Sequence, residues 1–109
     1  MGIAFGVGGG NIVPYRVMIE PTGVIRASGM RPRRHALSPD LAGSLSRRVR
    51  NDFAAGVKSR QCLGTNPDIA SEFIRAEGRT VTVHGKCEPR FQRLWNTLAR
   101  AVGIRASGA

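Results

Sequence analysis

The sequence predicts a single α+β domain, in which a largely antiparallel five-stranded sheet is covered on one face by two helices. Segments near both ends of the chain alternate apolar residues with small or polar ones, which is the period of a strand. Two other segments repeat apolar residues at helical spacing, and each begins beside a proline. The 109 residues suffice for one hydrophobic core and leave no room for a second.

The first three predicted elements are strands that form a meander. Apolar residues alternate over residues 3–7 and again over residues 13–19, and the glycines at 8–10 join these segments as a flexible connection. Residues 21–23 place a proline where φ is fixed and a glycine where φ can be positive, which is typical of a turn. We therefore expect residues 24–28 to return as the third strand.

The first helix is predicted to begin at Ser38. Its hydroxyl can cap the helix, Pro39 suits the first helical position, and Asp40 carries negative charge at the positive end of the helix dipole. Apolar residues at four-residue steps form the expected core face: Leu41, Leu45, Val49, Phe53 and Val57.

The second half of the chain predicts a hairpin and a closing helix. Residues 58–68 show no apolar period and form a long loop. Residues 69–76 and 79–85 flank Glu77 and Gly78, a two-residue connection typical of a β-hairpin. The closing helix begins at Pro89, ends at Gly103, and carries an apolar stripe of Phe91, Leu94, Trp95, Leu98 and Val102. We treat residues 1–109 as one domain of order βββαββα and expect residues 104–109 to fray.

Two cysteines stand where elements end. Cys62 lies in the long loop and Cys87 between the last strand and the closing helix, so a disulfide between them is geometrically easy. It would close about 25 residues and contribute about 3 kcal/mol. Such a bond predicts an oxidising compartment, and we expect an exported protein whose signal has been removed. The alternative is a cytosolic protein with two reduced thiols. No apolar run approaches the length needed to cross a bilayer.

The spacing of the histidines, cysteines and acidic residues does not predict a catalytic or metal site. His84, Cys87, Cys62 and His35 could in principle form a zinc set, but only His84 and Cys87 are closely spaced, so we expect no metal. His84 is expected to point to solvent from an edge strand. The acids are scattered as expected for caps, turns and surface charges: Glu20, Asp40, Asp52, Asp68, Glu72, Glu77 and Glu88. We expect no catalytic residue, no enzymatic activity and no cofactor.

The net charge of +10 comes from 17 basic and 7 acidic residues, and 15 of the basic residues are arginine. This charge favours anionic partners, although a bias of genome composition explains it equally well. The densest basic region comprises Arg31, Arg33, Arg34, Arg47, Arg48 and Arg50. A protein that reads bases would need exposed aromatic side chains among these arginines, but the expected core faces account for Tyr15, Phe53, Phe73, Phe91 and Trp95. A surface polyanion is thus a possible partner, and specific nucleic-acid recognition is not expected.

The order of elements resembles a known family. The chain contains, in this order, an apolar strand, Gly8 to Gly10, a second apolar strand, a helix opening at residues 37–41, a loop with Pro67 and Asp68, a hairpin and an apolar closing helix. In these features the chain resembles the small emfourin-like domains of bacteria. The resemblance implies an inhibitor of thermolysin-like metalloproteases that occludes the protease cleft with an exposed segment. The candidate segment is Gly8, Gly9, Gly10 and Asn11. The alternative function is non-specific nucleic-acid binding by a cytosolic basic protein.

Overall fold

The computed structural model describes residues 2–105 and shows a single α+β domain with two helices. The strands are β1 (Ile3–Gly8), β2 (Tyr15–Ile19), β3 (Ile25–Ser28), β4 (Arg60–Gln61), β5 (Ser71–Ala76) and β6 (Arg79–His84). The helices are α1 (Pro39–Ala54), between β3 and β4, and α2 (Pro89–Val102), after β6.

The strands form one six-stranded mixed sheet in the order β3-β2-β1-β5-β6-β4. The prediction of five strands in a largely antiparallel sheet is therefore wrong in number, because β4 pairs with β6 in parallel. No pattern in the sequence indicated β4, since two polar residues inside a loop show no alternation. The other strand pairs are antiparallel, as expected.

The core lies between one face of the sheet and both helices. Phe5 pairs with Val17 on one side and with Ile74 on the other, so apolar side chains form a row across the centre of the sheet. The Trp95 ring stands edge-on to Phe5 with 5.7 Å between ring centroids, and its Nε1 donates a hydrogen bond to the Gly6 carbonyl at 3.1 Å. Trp95 is buried, as its place in the apolar stripe predicts.

Helix α1 begins as predicted and buries Leu45, Val49 and Phe53 of the predicted stripe, but not its first residue. The Ser38 hydroxyl accepts a hydrogen bond from the Leu41 N–H at 3.1 Å. Leu41, however, is 40% exposed, and Ala42 is buried in its place. Val57 is buried but lies beyond the end of the helix. A strict four-residue step drifts around a helix of 3.6 residues per turn, so the predicted stripe could not stay on one face over its full length.

Helix α2 ends at Gly103, whose φ of +80° is left-handed, as predicted for a terminating glycine. Ile104 does not fray: its side chain is buried in the core and its N–H bonds to the Ala99 carbonyl at 2.9 Å. Residues 106–109 of the predicted tail lie outside the described residues. Within residues 2–105, neither helix is long and apolar enough to cross a membrane.

The face of the sheet opposite the helices carries Phe73, which corrects its assignment to the core. Phe73 stands opposite Gly6 of β1 and Thr82 of β6, and it is half-buried. Its neighbour Ile74 points into the core instead. Both residues are apolar, so the sequence did not distinguish the two faces of β5.

The two ends of the sheet differ in how the chain connects. At one end, residues 20–24 and 77–78 close two hairpins, and we call this the turn end. At the other end lie two longer connections, residues 9–14 and 62–70, and the link 85–88 from β6 to α2, and we call this the loop end.

Candidate functional site

The predicted disulfide between Cys62 and Cys87 is present at the loop end, with 5.7 Å between the Cα atoms. Cys62 is buried, and its N–H bonds to the His84 carbonyl at 2.9 Å. Gly85 packs so closely that an added Cβ would lie 2.6 Å from the Cys62 Cβ. The bond therefore ties the long loop to the connection that leads from β6 into α2.

The glycine tract between β1 and β2 is exposed but partly anchored. The Asn11 N–H donates to the Asp68 carbonyl at 3.0 Å. Gly10 has a φ of +64°, and a Cβ there would lie 2.5 Å from the same carbonyl oxygen, whereas a Cβ on Gly9 would meet nothing within 4 Å. The neighbouring loop therefore contacts the backbone of Gly10 and Asn11, whereas the flexibility of the connection stays a prediction.

This anchored loop displays apolar side chains to solvent. Ile12 is 49% exposed and Val13 74% exposed, and Ile69, in the loop that holds them, is 53% exposed. Val13 was expected on the inner face of the second strand, but β2 begins only at Tyr15, after Pro14. We refer to Ile12, Val13 and Ile69 as the loop-end patch.

A cavity of about 380 Å³ lies beside the loop-end patch. Its volume is within the range of small-molecule binding pockets. Ile12 and Ile69 belong both to the patch and to the cavity wall. The remaining lining residues are Val7, Asp68, Ala70, Glu72, Val83, Gly85 and Lys86.

Glu72 is the buried charged residue of this cavity. It is 7% exposed and occupies a core-facing position of β5, where it pairs with Val7 of β1 and Val83 of β6. The Lys86 Nζ lies 3.9 Å from its Oε1, beyond hydrogen-bond reach, and donates instead to Gln92 Oε1 at 3.0 Å. The assignment of Glu72 to a cap, turn or surface charge is wrong. Glu72 alternates with the apolar Ile74 and Ala76, but Phe73 on the other face of β5 offsets this signal, so the sequence alone did not decide which face is buried.

Tyr15 lies in the same row of side chains across the sheet as Glu72, because Val7 of β1 pairs with Tyr15 on one side and with Glu72 on the other. Burial raises the pKa of the Tyr15 phenol above its ordinary value of 10.0, and the negative charge of Glu72 raises this pKa further. The loop end thus joins a buried carboxylate and a neutral phenol on the inner face of the sheet.

The prediction that His84 points to solvent from an edge strand is wrong. His84 is buried on β6, which is not an edge strand because β4 covers it. Its Nδ1 accepts from the Gln61 side chain, and its Nε2 donates to the Ile69 carbonyl at 2.8 Å. Cys62 and Cys87 are bonded to each other and His35 is exposed, so the weighed zinc set does not assemble. In residues 2–105, no group of three or more metal-ligating side chains is placed to hold an ion.

The six arginines of the predicted basic region are exposed. The backbone N–H groups of Arg33 and Arg34 bond to the carbonyls of Gly103 and Val102, at the end of α2. Arg50, on α1, donates to Glu77 at the turn end at 2.8 Å. It stays a prediction that these six arginines bind one partner together: Arg31, Arg33, Arg34, Arg47, Arg48 and Arg50.

These features place an anchored apolar loop, a disulfide and a cavity with a buried carboxylate at one end of the sheet. The resemblance to emfourin stays a prediction of the sequence. Comparison with protein-family models, with curated proteins and with solved structures finds no match to this chain.

Proposed function

We propose that the chain is a non-enzymatic binding protein that inserts the segment Gly8–Val13 into a cleft of another protein. The class of partner that the emfourin resemblance implies is a thermolysin-like metalloprotease. We further propose that the protein is exported, since the disulfide is compatible with an oxidising compartment.

The observation that supports this proposal is the exposure of apolar side chains on an anchored backbone. Ile12 and Val13 are exposed on a loop whose position is fixed by the Asn11 to Asp68 hydrogen bond and by the close contact of Gly10. Contiguous patches of exposed apolar side chains commonly mark protein interaction sites, and this supports the proposal. A segment that is already ordered loses little conformational entropy when it binds, which favours affinity.

The test is inhibition of thermolysin by the full chain with its disulfide intact. We expect inhibition by the native chain and a loss of about tenfold or more in the variant with Ile12→Ser and Val13→Ser. The matched control is Leu41→Ser, because Leu41 is also exposed but lies on α1. Equal inhibition by the double variant would contradict a role for the loop, and absence of inhibition by the native chain would contradict the partner class.

The alternative function, non-specific binding of nucleic acid, is favoured by the net charge of +10 and the exposure of the arginine groups. Binding of this kind releases counterions and weakens steeply with added salt. We expect only weak binding to single-stranded DNA, lost by about 0.15 M salt, where the screening length is about 8 Å. Submicromolar binding at that salt, abolished by changing Arg31, Arg33 and Arg34 to alanine, would make this the better function.

A further inference from the structure

The cavity at the loop end combines apolar walls with one charged group at a buried position. Val7 and Val83 flank Glu72 on the neighbouring strands, and Ile12 and Ile69 form the wall next to the patch. A carboxylate accepts hydrogen bonds at both oxygens and donates none when ionised. The lining therefore suits a ligand group that has an apolar stem and a cationic, hydrogen-donating tip.

Lys86 shows which chemistry this carboxylate attracts. Its ammonium group lies 3.9 Å from Glu72 Oε1, so the two charges attract each other without a hydrogen bond between those atoms. Lys86 is half-exposed and its Nζ is held by Gln92. A buried charge is costly unless a counter-charge approaches it closely, so a cation that makes direct hydrogen bonds to Glu72 would gain more than Lys86 does.

We propose that this cavity binds the side chain of a lysine or arginine from the protein partner. The inference rests on the proposed function, because the cavity shares Ile12 and Ile69 with the loop-end patch and a partner on the patch would lie beside the cavity. The alkyl stem of such a side chain would pack on Val7, Ile12 and Val83. Its charged tip would donate to Glu72.

The net charge of +10 does not prevent this binding. Exposed arginines farther away than about 8 Å are largely screened at physiological salt, whereas a buried carboxylate next to its ligand is screened much less. The attraction of Glu72 for a cation is therefore opposed mainly by Lys86, which also lines the cavity.

The experiment titrates the full, disulfide-bonded chain with N-acetyl-lysine amide and follows amide chemical shifts by NMR. We expect saturable binding with a Kd of about 1 mM, in keeping with a ligand of this size. The shifts should centre on Ile69, Glu72 and Val83. N-acetyl-norleucine amide, which has the stem without the charge, should bind about tenfold more weakly.

Substitutions test whether the carboxylate of Glu72 binds the cationic tip of the ligand. Glu72→Gln keeps the shape of the side chain and should weaken lysine binding about tenfold, whereas the control Glu88→Gln, which lies outside the cavity lining and pairs with Arg60, should not. If Glu72→Gln fails to fold, Lys86→Met remains as a test, because removal of the competing ammonium from a half-exposed position should tighten binding several-fold.

Three results would overturn the proposal: no saturable binding, equal affinity for the norleucine derivative, or an unchanged affinity in Glu72→Gln. Butylammonium, which is the lysine side chain without its backbone, should bind about as tightly, because only the stem and the charged tip contact the cavity in this proposal. None of these titrations contains the partner, so their failure leaves the result with Ile12 and Val13 unaffected. Loss of thermolysin inhibition in that double variant, in turn, does not decide whether the cavity takes a cation.

Discussion

The turn end and the loop end close the same sheet by different means. At the turn end, Arg26 pairs with Glu20 at 2.7 Å and Arg50 with Glu77 at 2.8 Å. Arg79 donates to the carbonyls of Phe53 and Val57 and lies over the Phe53 ring. The apolar Val24 is 39% exposed there. The loop end instead carries the disulfide, the cavity and apolar side chains that are about half exposed or more.

The difference shows that one end of the sheet is held by local turn geometry and the other by contacts between segments distant in sequence. A two-residue hairpin turn such as Glu77 and Gly78, both with positive φ, fixes its own geometry from adjacent residues. The longer connections at the loop end depend on contacts between segments distant in sequence, such as Cys62 with Cys87 and Asn11 with Asp68. Binding surfaces are commonly carried by loops held in this way on a rigid scaffold.

The largest expected effect on stability comes from the core between the sheet and the helices, which both ends of the sheet share. Trp95→Ala removes a buried ring that packs on Phe5 and bonds to Gly6, and it should lower the free energy of unfolding by about 3–5 kcal/mol. Urea denaturation followed by circular dichroism measures the loss. Trp95→Phe, which retains an aromatic ring, is the control and should cost less. A loss below about 1 kcal/mol in Trp95→Ala would contradict the described core.

The next effect separates the two ends. Replacement of Cys62 or Cys87 by serine should lower the free energy of unfolding by about 3 kcal/mol, to a similar extent for either residue, because each removes the same crosslink. Hydrogen exchange should show local opening of residues 62–70 while the turn at 77–78 keeps its protection relative to global unfolding. A denatured, unreduced native chain should show no free thiol, and two titratable thiols would disprove the bond.

A smaller effect tests how the glycine tract is held. Gly9→Ala should cost about 1 kcal/mol, because the position has a φ of +74° but open space around it. Gly10→Ala should cost about 2 kcal/mol or more, because its new Cβ would also meet the Asp68 carbonyl. Gly8→Ala, without either obstacle, is the control and should be close to neutral. Equal costs at Gly9 and Gly10 in chemical denaturation would show that the neighbouring loop does not anchor the tract.

The smallest effect at neutral pH concerns Tyr15. Because burial and the charge of Glu72 raise the pKa of its phenol, the folded chain keeps Tyr15 neutral to higher pH than the unfolded chain does. This contribution to stability is fully present below about pH 10, the ordinary pKa of tyrosine, and is lost as pH rises through the raised value. The chain has one tyrosine, so phenolate absorbance reports it directly. Tyr15→Phe should remove this part of the alkaline loss of stability, and titration at or below pH 10 would contradict the burial.

Much of the fold followed from residues that act on their neighbours. Ser38 and Pro39 start α1, Gly103 ends α2, and the Glu77 and Gly78 pair closes a hairpin, because caps and tight turns depend on a few adjacent residues. The burial of Trp95 followed from its place in a helical apolar stripe. The disulfide followed from two cysteines at the ends of elements, although the sequence left a reduced pair open.

What only the tertiary structure decided concerns which segments meet. The central position of β1 depends on its pairing with β5, nearly seventy residues later, and β4 exists only because β6 offers it a partner edge. The faces of β5 were undetermined because a shift of one residue exchanges Phe73 and Glu72 between core and surface. Local propensity carries no information about such pairings, so the buried carboxylate and the cavity that contains it emerge only when distant strands are brought together.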